Sequence, residues 1–174
     1  MTNNPDFERL LLPQGKKIIR STERLAGTNF STQVDTSHLA VILIHDKSDK
    51  SLRMAFTAAG LTHGDVEERL DVRIKRPTGT KIKYPKNQPY SRALEEVVGN
   101  VIGKRDDLPI PTVDAPFIGP SHLLRGLLVE WQTLEMFLLL SSGKIYSNKG
   151  IEERMKILSD AAADKPSIPG TLSA

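Results

Sequence analysis

Apolar positions along the chain recur mostly at intervals of three and four residues, the spacing that lines one face of a helix. The first such run extends from Pro5 to about Ala26 through Leu10, Leu11, Ile18, Ile19 and Leu25, and Pro13 and Gly15 are expected to break or kink it. A polar stretch follows, and then Leu39-Ala40-Val41-Ile42-Leu43-Ile44, apolar nearly all round and headed by Asp35 and Thr36 as N-cap candidates. Periodicity alone leaves this segment open between buried strand and buried helix. Leu52, Ala55, Phe56 and Ala59 mark a further helix face, with Gly60 placed to end it. Asp65 opens a short helix carrying Val66, Leu70 and Ile74. Residues 76–89 hold three prolines and read as a linker. Ser91 then caps a helix with Leu94, Val97, Val98 and Val101. After a proline-rich loop over 106–120, helices are predicted from Ser121 to Val129, from about Trp131 to Leu140 and from Asn148 to Leu158. Residues 160–174 have the composition of a flexible tail.

Composition narrows the function more than the fold. At 39% hydrophobic and 26% charged residues, the chain is ordinary for a globular domain. Only 5% of residues are aromatic, so the core rests on Leu, Ile, Val and Ala, which suits packed helices. The net charge of +3 is too small for a dedicated nucleic-acid binder. With no Cys, thiolate zinc sites and cysteine nucleophiles are excluded. Met1 to Asp6 shows no signal-peptide pattern, and the most apolar stretch, His122 to Leu140, is interrupted by charges, so a cytoplasmic protein with no membrane contact is expected.

The strongest signal is internal repetition. Ser37-His38-Leu39 and Ser121-His122-Leu123 lie 84 residues apart, and each heads an apolar helix. Downstream, Val66-Glu67-Glu68-Arg69-Leu70 and Ile151-Glu152-Glu153-Arg154-Met155 lie 85 residues apart. Upstream, Ile18-Ile19 corresponds to a Val-Val or Val-Ile pair before the long loop. The expected fold is therefore all-α, eight helices arranged as two four-helix repeats. The double domain covers 1–159, with repeat 1 over about 5–75, the linker over 76–89 and repeat 2 over about 90–159. This periodicity also settles Val41 and its neighbours as helix.

Three stretches carry a family resemblance: Phe56-Thr57-Ala58-Ala59-Gly60-Leu61, Tyr90-Ser91-Arg92-Ala93-Leu94, and Ile118 to Leu128 with its Pro-Ser-His-Leu-Leu core. In their order and spacing they resemble the double N-terminal repeat of Clp-type unfoldases over roughly residues 7–159. The resemblance implies a pseudo-two-fold domain that receives substrates and adaptors for an ATP-dependent unfoldase or protease. It implies Clp components, adaptor proteins or unfolded substrates as partners, and no cofactor. The chain itself holds no Walker motif and is not expected to be an enzyme. A free-standing relative and a domain of a longer protein both fit. In the ClpC branch a Glu follows the Thr of each such motif and binds phosphoarginine. Here Ser37 and Ser121 stand at those positions and lack the carboxylate for a bidentate guanidinium contact, so phosphoarginine recognition is not expected. Thr36 is retained, whereas Pro120 replaces its counterpart.

The candidate peptide- or adaptor-binding residues are Thr36, Ser37, Ser121, Trp131 and Phe137. The last two belong to an apolar run, Leu134 to Leu140, richer than one buried stripe requires. Two other classes of function compete. Ser37, His38, Ser121 and His122 would make a hydrolase site only if tertiary structure joined Ser of one repeat to His of the other, because neighbours on a helix point about 100° apart. Lys75, Arg76, Lys81, Lys83 and Lys86 would make a regulator that binds nucleic acid through the linker, but lack aromatic interleaving. His38 and His45 are separated by seven residues, about 10 Å along a helix and too far for one metal ion, and His63 would join them only through tertiary structure. Glu67-Glu68 and Glu152-Glu153 read as solvated helix faces.

Overall fold

The computed structural model describes residues 5–72, 74, 87–103, 116–130 and 150–163. Eight helices occupy them: α1 (Pro5–Leu10), α2 (Pro13–Thr28), α3 (Thr36–His45), α4 (Lys50–Ala58), α5 (His63–Arg69), α6 (Arg92–Gly103), α7 (Pro120–Glu130) and α8 (Ile151–Ala163). There is no strand among the described residues, only two isolated bridges. The linker cluster, Trp131, Phe137 and the rest of the Leu134 to Leu140 run lie outside these residues.

The first amphipathic run is two helices rather than one kinked helix. Leu12 is extended (φ −63°, ψ 161°), as the residue before a proline prefers, and Pro13 occupies the first position of α2, where it needs no N–H partner. Gly15 does not interrupt the helix. It lets α2 approach Ile118, since a Cβ there would lie 2.4 Å from the Ile118 carbonyl oxygen. α4 ends in a Schellman motif: Leu61 N–H donates to Phe56 C=O (3.0 Å), Gly60 N–H to Thr57 C=O (2.9 Å), and Gly60 takes φ 71°. α5 is shorter than its apolar pattern suggests. It stops at Arg69, so Leu70 and Ile74 follow it. α8 is longer, running to Ala163 with Ala162 buried, four residues into the segment expected as tail.

The duplication is visible in hydrogen bonds. Val34, just ahead of α3, donates to Pro89 C=O (2.8 Å) and accepts from Ser91 N–H (2.8 Å). Ile118, just ahead of α7, donates to Leu10 C=O (2.8 Å) and accepts from Leu12 N–H (2.9 Å). Each half thus lends the residue before its second helix to the residues before the other half's first helix, a reciprocal exchange that a two-fold relation produces. It equates Leu11 with Tyr90 and fixes the helix register: Ile18, Ile19 and Thr22 of α2 match Val97, Val98 and Val101 of α6, and all six are buried. α2–α5 form the first quartet. α6, α7 and α8 supply the described part of the second, and α1 leads the chain into the first. α3 and α7 sit at the centre. α3 packs on α2, α5 and α7, whereas α8 lies across α4 and α7. Leu39, Leu43, Leu94, Ile118, Leu123, Leu124 and Leu158 are almost fully enclosed there. Removing such side chains from water is the main stabilisation available to a chain so poor in aromatics.

Candidate functional site

The motif residues shared by the repeats converge on the starts of α3 and α7. Asp35 is the N-cap of α3. Its Oδ1 accepts from Thr36 N–H (2.7 Å), while His38, three residues on, accepts the Asp35 backbone N–H at Nδ1 (3.0 Å). This is a capping box with histidine in the place usually filled by Glu or Gln. α7 repeats the reach-back half of it: Gly119 N–H donates to His122 Nδ1 at 3.3 Å, while glycine has no side chain to return a bond. The sequence offered Asp35 and Thr36 as N-cap candidates, and Asp35 is the cap. The histidines do the reaching back, and Ser37 and Ser121 sit half-buried on the first turns.

These bonds decide the chemistry open to the histidines. Because Nδ1 of His38 accepts a backbone proton, its proton resides on Nε2, which donates to Ser31 Oγ (3.0 Å). An imidazole in that tautomer cannot remove the Ser31 proton, so the pair is not a nucleophile and base. Burial lowers the pKa of His38 despite the raising effect of Asp35, and burial followed by Arg125 lowers that of His122. No hydrogen bond among the described residues joins Ser37 to His122, the contact a shared hydrolase site required.

Thr36 is buried, and its hydroxyl donates to Asp35 Oδ1 (3.3 Å). The same carboxylate oxygen accepts from Ser91 Oγ (2.8 Å), and Ser91 in turn accepts from Leu94 N–H (3.2 Å) to cap α6. Nearby, Tyr90 Oη donates to Glu23 Oε1 on α2 (2.8 Å), with burial and then Glu23 pushing the phenol pKa up. Gln88 donates to the Ser31 carbonyl. The starts of α3 and α6 are thereby one polar joint between repeats.

The charged pentads serve packing as well as solvation. Glu68, Glu152 and Glu153 are exposed as expected, but Glu67 Oε1 lies 2.6 Å from His45 Nε2, and Arg154 is 4% exposed. Arg154 Nε donates to Ala59 C=O (2.6 Å), so α8 of one repeat satisfies the C-terminal end of α4 of the other. His63 stacks tilted on His45 with centroids 4.1 Å apart, the tertiary meeting that spacing alone did not foresee. Among the described residues, no three His, Asp or Glu side chains are placed to hold a metal ion.

Two apolar side chains stand out on the surface. Met54 on α4 is 62% exposed and Phe30 is 56% exposed. Phe30 occupies the left-handed position (φ 55°) of a second Schellman motif, closing α2 through Phe30 N–H to Gly27 C=O and Ser31 N–H to Ala26 C=O (both 3.0 Å). Glycine is the usual residue there, and a residue carrying a Cβ costs about 1–2 kcal/mol in that conformation. Nothing in the sequence pattern marked Phe30, because its conformation follows from where α2 stops.

No protein-family model and no curated protein matches this sequence. Solved structures do match by shape. The Hsp104 N-terminal domain from Candida albicans is similar with a TM-score of 0.54 at 17% identity, covering 88% of this chain and 89% of that one. The N-terminal domain of the caseinolytic protease associated chaperone ClpD from Arabidopsis thaliana is similar with a TM-score of 0.50 at 20% identity, covering 90% and 94%. A chain from a structural study of a malarial protein secretion system gives 0.51 at 16% identity, covering 84% and 92%. The fold is therefore that of the Clp N-terminal domains, all-α and spanning most of the chain, as the motifs implied. Among the described residues no helix is long and apolar enough to cross a membrane.

Proposed function

We propose that this chain is a protein-binding module of Clp N-domain type that presents substrates or adaptor proteins to a Clp unfoldase or protease and carries out no chemical step itself. The observation that carries this reading is the reciprocal double-repeat architecture, in a fold similar to the Hsp104 N-terminal domain over 88% of this chain. Two features of the site support it. The His side chains that would have to act as bases, His38 and His122, accept backbone N–H groups at the starts of α3 and α7. Exposed apolar groups, Phe30 and Met54, offer contacts of the kind unfolded segments take. Ser37 and Ser121, at equivalent places on α3 and α7, are the polar residues we assign to partner contact. Thr36, whose hydroxyl donates to the Asp35 carboxylate, Trp131 and Phe137 remain expectations from the sequence.

The test is direct binding of purified chain to a labelled, permanently unfolded polypeptide and, separately, to a Clp unfoldase. Binding to at least one is expected, weakened severalfold by the Phe30→Ala/Met54→Ala pair with the helical spectrum unchanged. Absence of binding to both, or hydrolysis of the polypeptide, contradicts the reading.

A further inference from the structure

The face of α2 that points away from the core presents Pro13, Lys16, Lys17, Arg20, Ser21 and Arg24, which together line a broad open groove. Lys16, Arg20 and Arg24 recur every four residues and Lys17 lies three before Arg20, so the four cations share one face as a stripe about 12 Å long at a rise of about 1.5 Å per residue. All four are exposed, and none pairs with a carboxylate among the described residues. The nearest acid in sequence, Glu23, is turned toward the repeat joint by Tyr90. Like charges at i and i+4, here Lys16, Arg20 and Arg24, oppose helix formation. The first turn of α2 carries no acid to offset them.

The fold does not require this charge. In the register set by the reciprocal bridges, Lys16 and Lys17 match Glu95 and Glu96 of α6, while the buried positions on the other side of the two helices agree. One repeat therefore carries a basic stripe where its twin carries acid on the same scaffold. We propose that this stripe is a docking surface for an acidic segment of a partner protein, with carboxylates spaced to meet cations one helical turn apart. This deepens the binding-module reading and rests on it. A second copy of the chain fits less well. Its equivalent α6 face offers Glu95 and Glu96 beside Arg92, which already pairs with Glu96 at 3.1 Å, too little acid for four cations. A nucleic acid also fits less well, since no aromatic side chain lines the stripe for base stacking.

The experiment is fluorescence anisotropy with the intact chain and three probes of equal length: a Glu/Ala helical peptide, its Gln/Ala analogue and a single-stranded oligonucleotide. The acidic peptide is expected to bind, and to weaken by about tenfold or more in Lys16→Glu/Arg20→Glu/Arg24→Glu, since several exposed ion pairs are lost together. The control Lys50→Glu/Arg53→Glu/Lys156→Glu makes the same charge change on exposed positions of α4 and α8 and should bind like wild type. Salt of about 0.5 M should abolish the difference. Equal weakening in both triple variants overturns the stripe, because net charge alone would then explain it. Tighter binding of the oligonucleotide than of the acidic peptide, or self-association in sedimentation that the α2 variant removes, overturns the choice of partner. If wild type binds unfolded polypeptide but not the acidic peptide, the stripe fails alone. If it binds neither that polypeptide nor a Clp unfoldase, the broader reading fails instead.

Discussion

His38 and His122 show how a side chain that looks catalytic in sequence is used for structure. Each accepts a backbone N–H at the start of a helix, and each has a pKa below its ordinary 6.5 because burial disfavours the cation. Above that value both folded and unfolded chains are neutral at these sites, and stability does not vary through them. As pH falls through 6.5 the unfolded chain takes up protons that the folded chain refuses, so stability drops until the folded-state pKa is passed. Urea denaturation at about pH 7.5 and about pH 5.5 should show this loss, and His38→Gln/His122→Gln should reduce it, because Gln keeps the acceptor without titrating. An equal loss in the variant would place the acid sensitivity elsewhere. Phe30 supplies a second test. Phe30→Gly relieves a left-handed backbone at the cost of a more flexible unfolded chain, and should stabilise by about 0.5–1 kcal/mol in thermal unfolding. At this scale the sequence showed which residues recur but not what they hold. Ser37 and His38 are adjacent in any helix, and only the position of Asp35 as N-cap places His38 three residues on, where it reaches back.

Helices were legible where burial is one-sided. Ile18, Ile19, Val97 and Val98 are read correctly from spacing, and so is Ser91 as the cap of α6. The break between α1 and α2 was ambiguous because Pro13 permits either a kink or a start, and the bridge from Leu11 to Ile118 decides it through residues over a hundred positions away. The pattern also could not tell a glycine that ends a helix from one that admits a neighbour. Gly126 on α7 belongs to the second kind: an added Cβ would lie 2.5 Å from Val101 Cγ2 and 3.0 Å from Val97 O. Gly126→Ala should therefore destabilise by about 1–3 kcal/mol, overriding alanine's better helix propensity. Gly99 on α6 faces open space, so Gly99→Ala should stabilise by about 0.5–1 kcal/mol. Thermal unfolding of the pair with opposite signs checks the register of α6 against α7.

For the whole molecule the duplication was readable because apolar spacing repeats at nearly one offset, yet the way the halves join was not. Asp35 and Ser91 were legible as caps, Ala59 as part of an apolar face and Arg154 as part of a repeated pentad, but the long-range hydrogen bonds that join them leave no periodic mark. Asp35 Oδ1 serves both α3 and Ser91, so Asp35→Ala and Ser91→Ala should each cost about 1 kcal/mol or more and together cost measurably less than their sum in a double-mutant cycle. Strict additivity would mean that the repeats are not coupled there. The surface that meets a partner was the least legible part, because exposure of Phe30 and the contrast between α2 and α6 emerge only once the helices are packed.

The most direct measurement is backbone amide chemical-shift mapping of the isotope-labelled chain titrated with an unfolded polypeptide. Saturable shifts gathered around the first turns of α3 and α7 and around Phe30, with the polypeptide recovered intact, are predicted for a binding module of this architecture. No shifts at high polypeptide concentration, or cleavage of the polypeptide during the titration, would contradict it.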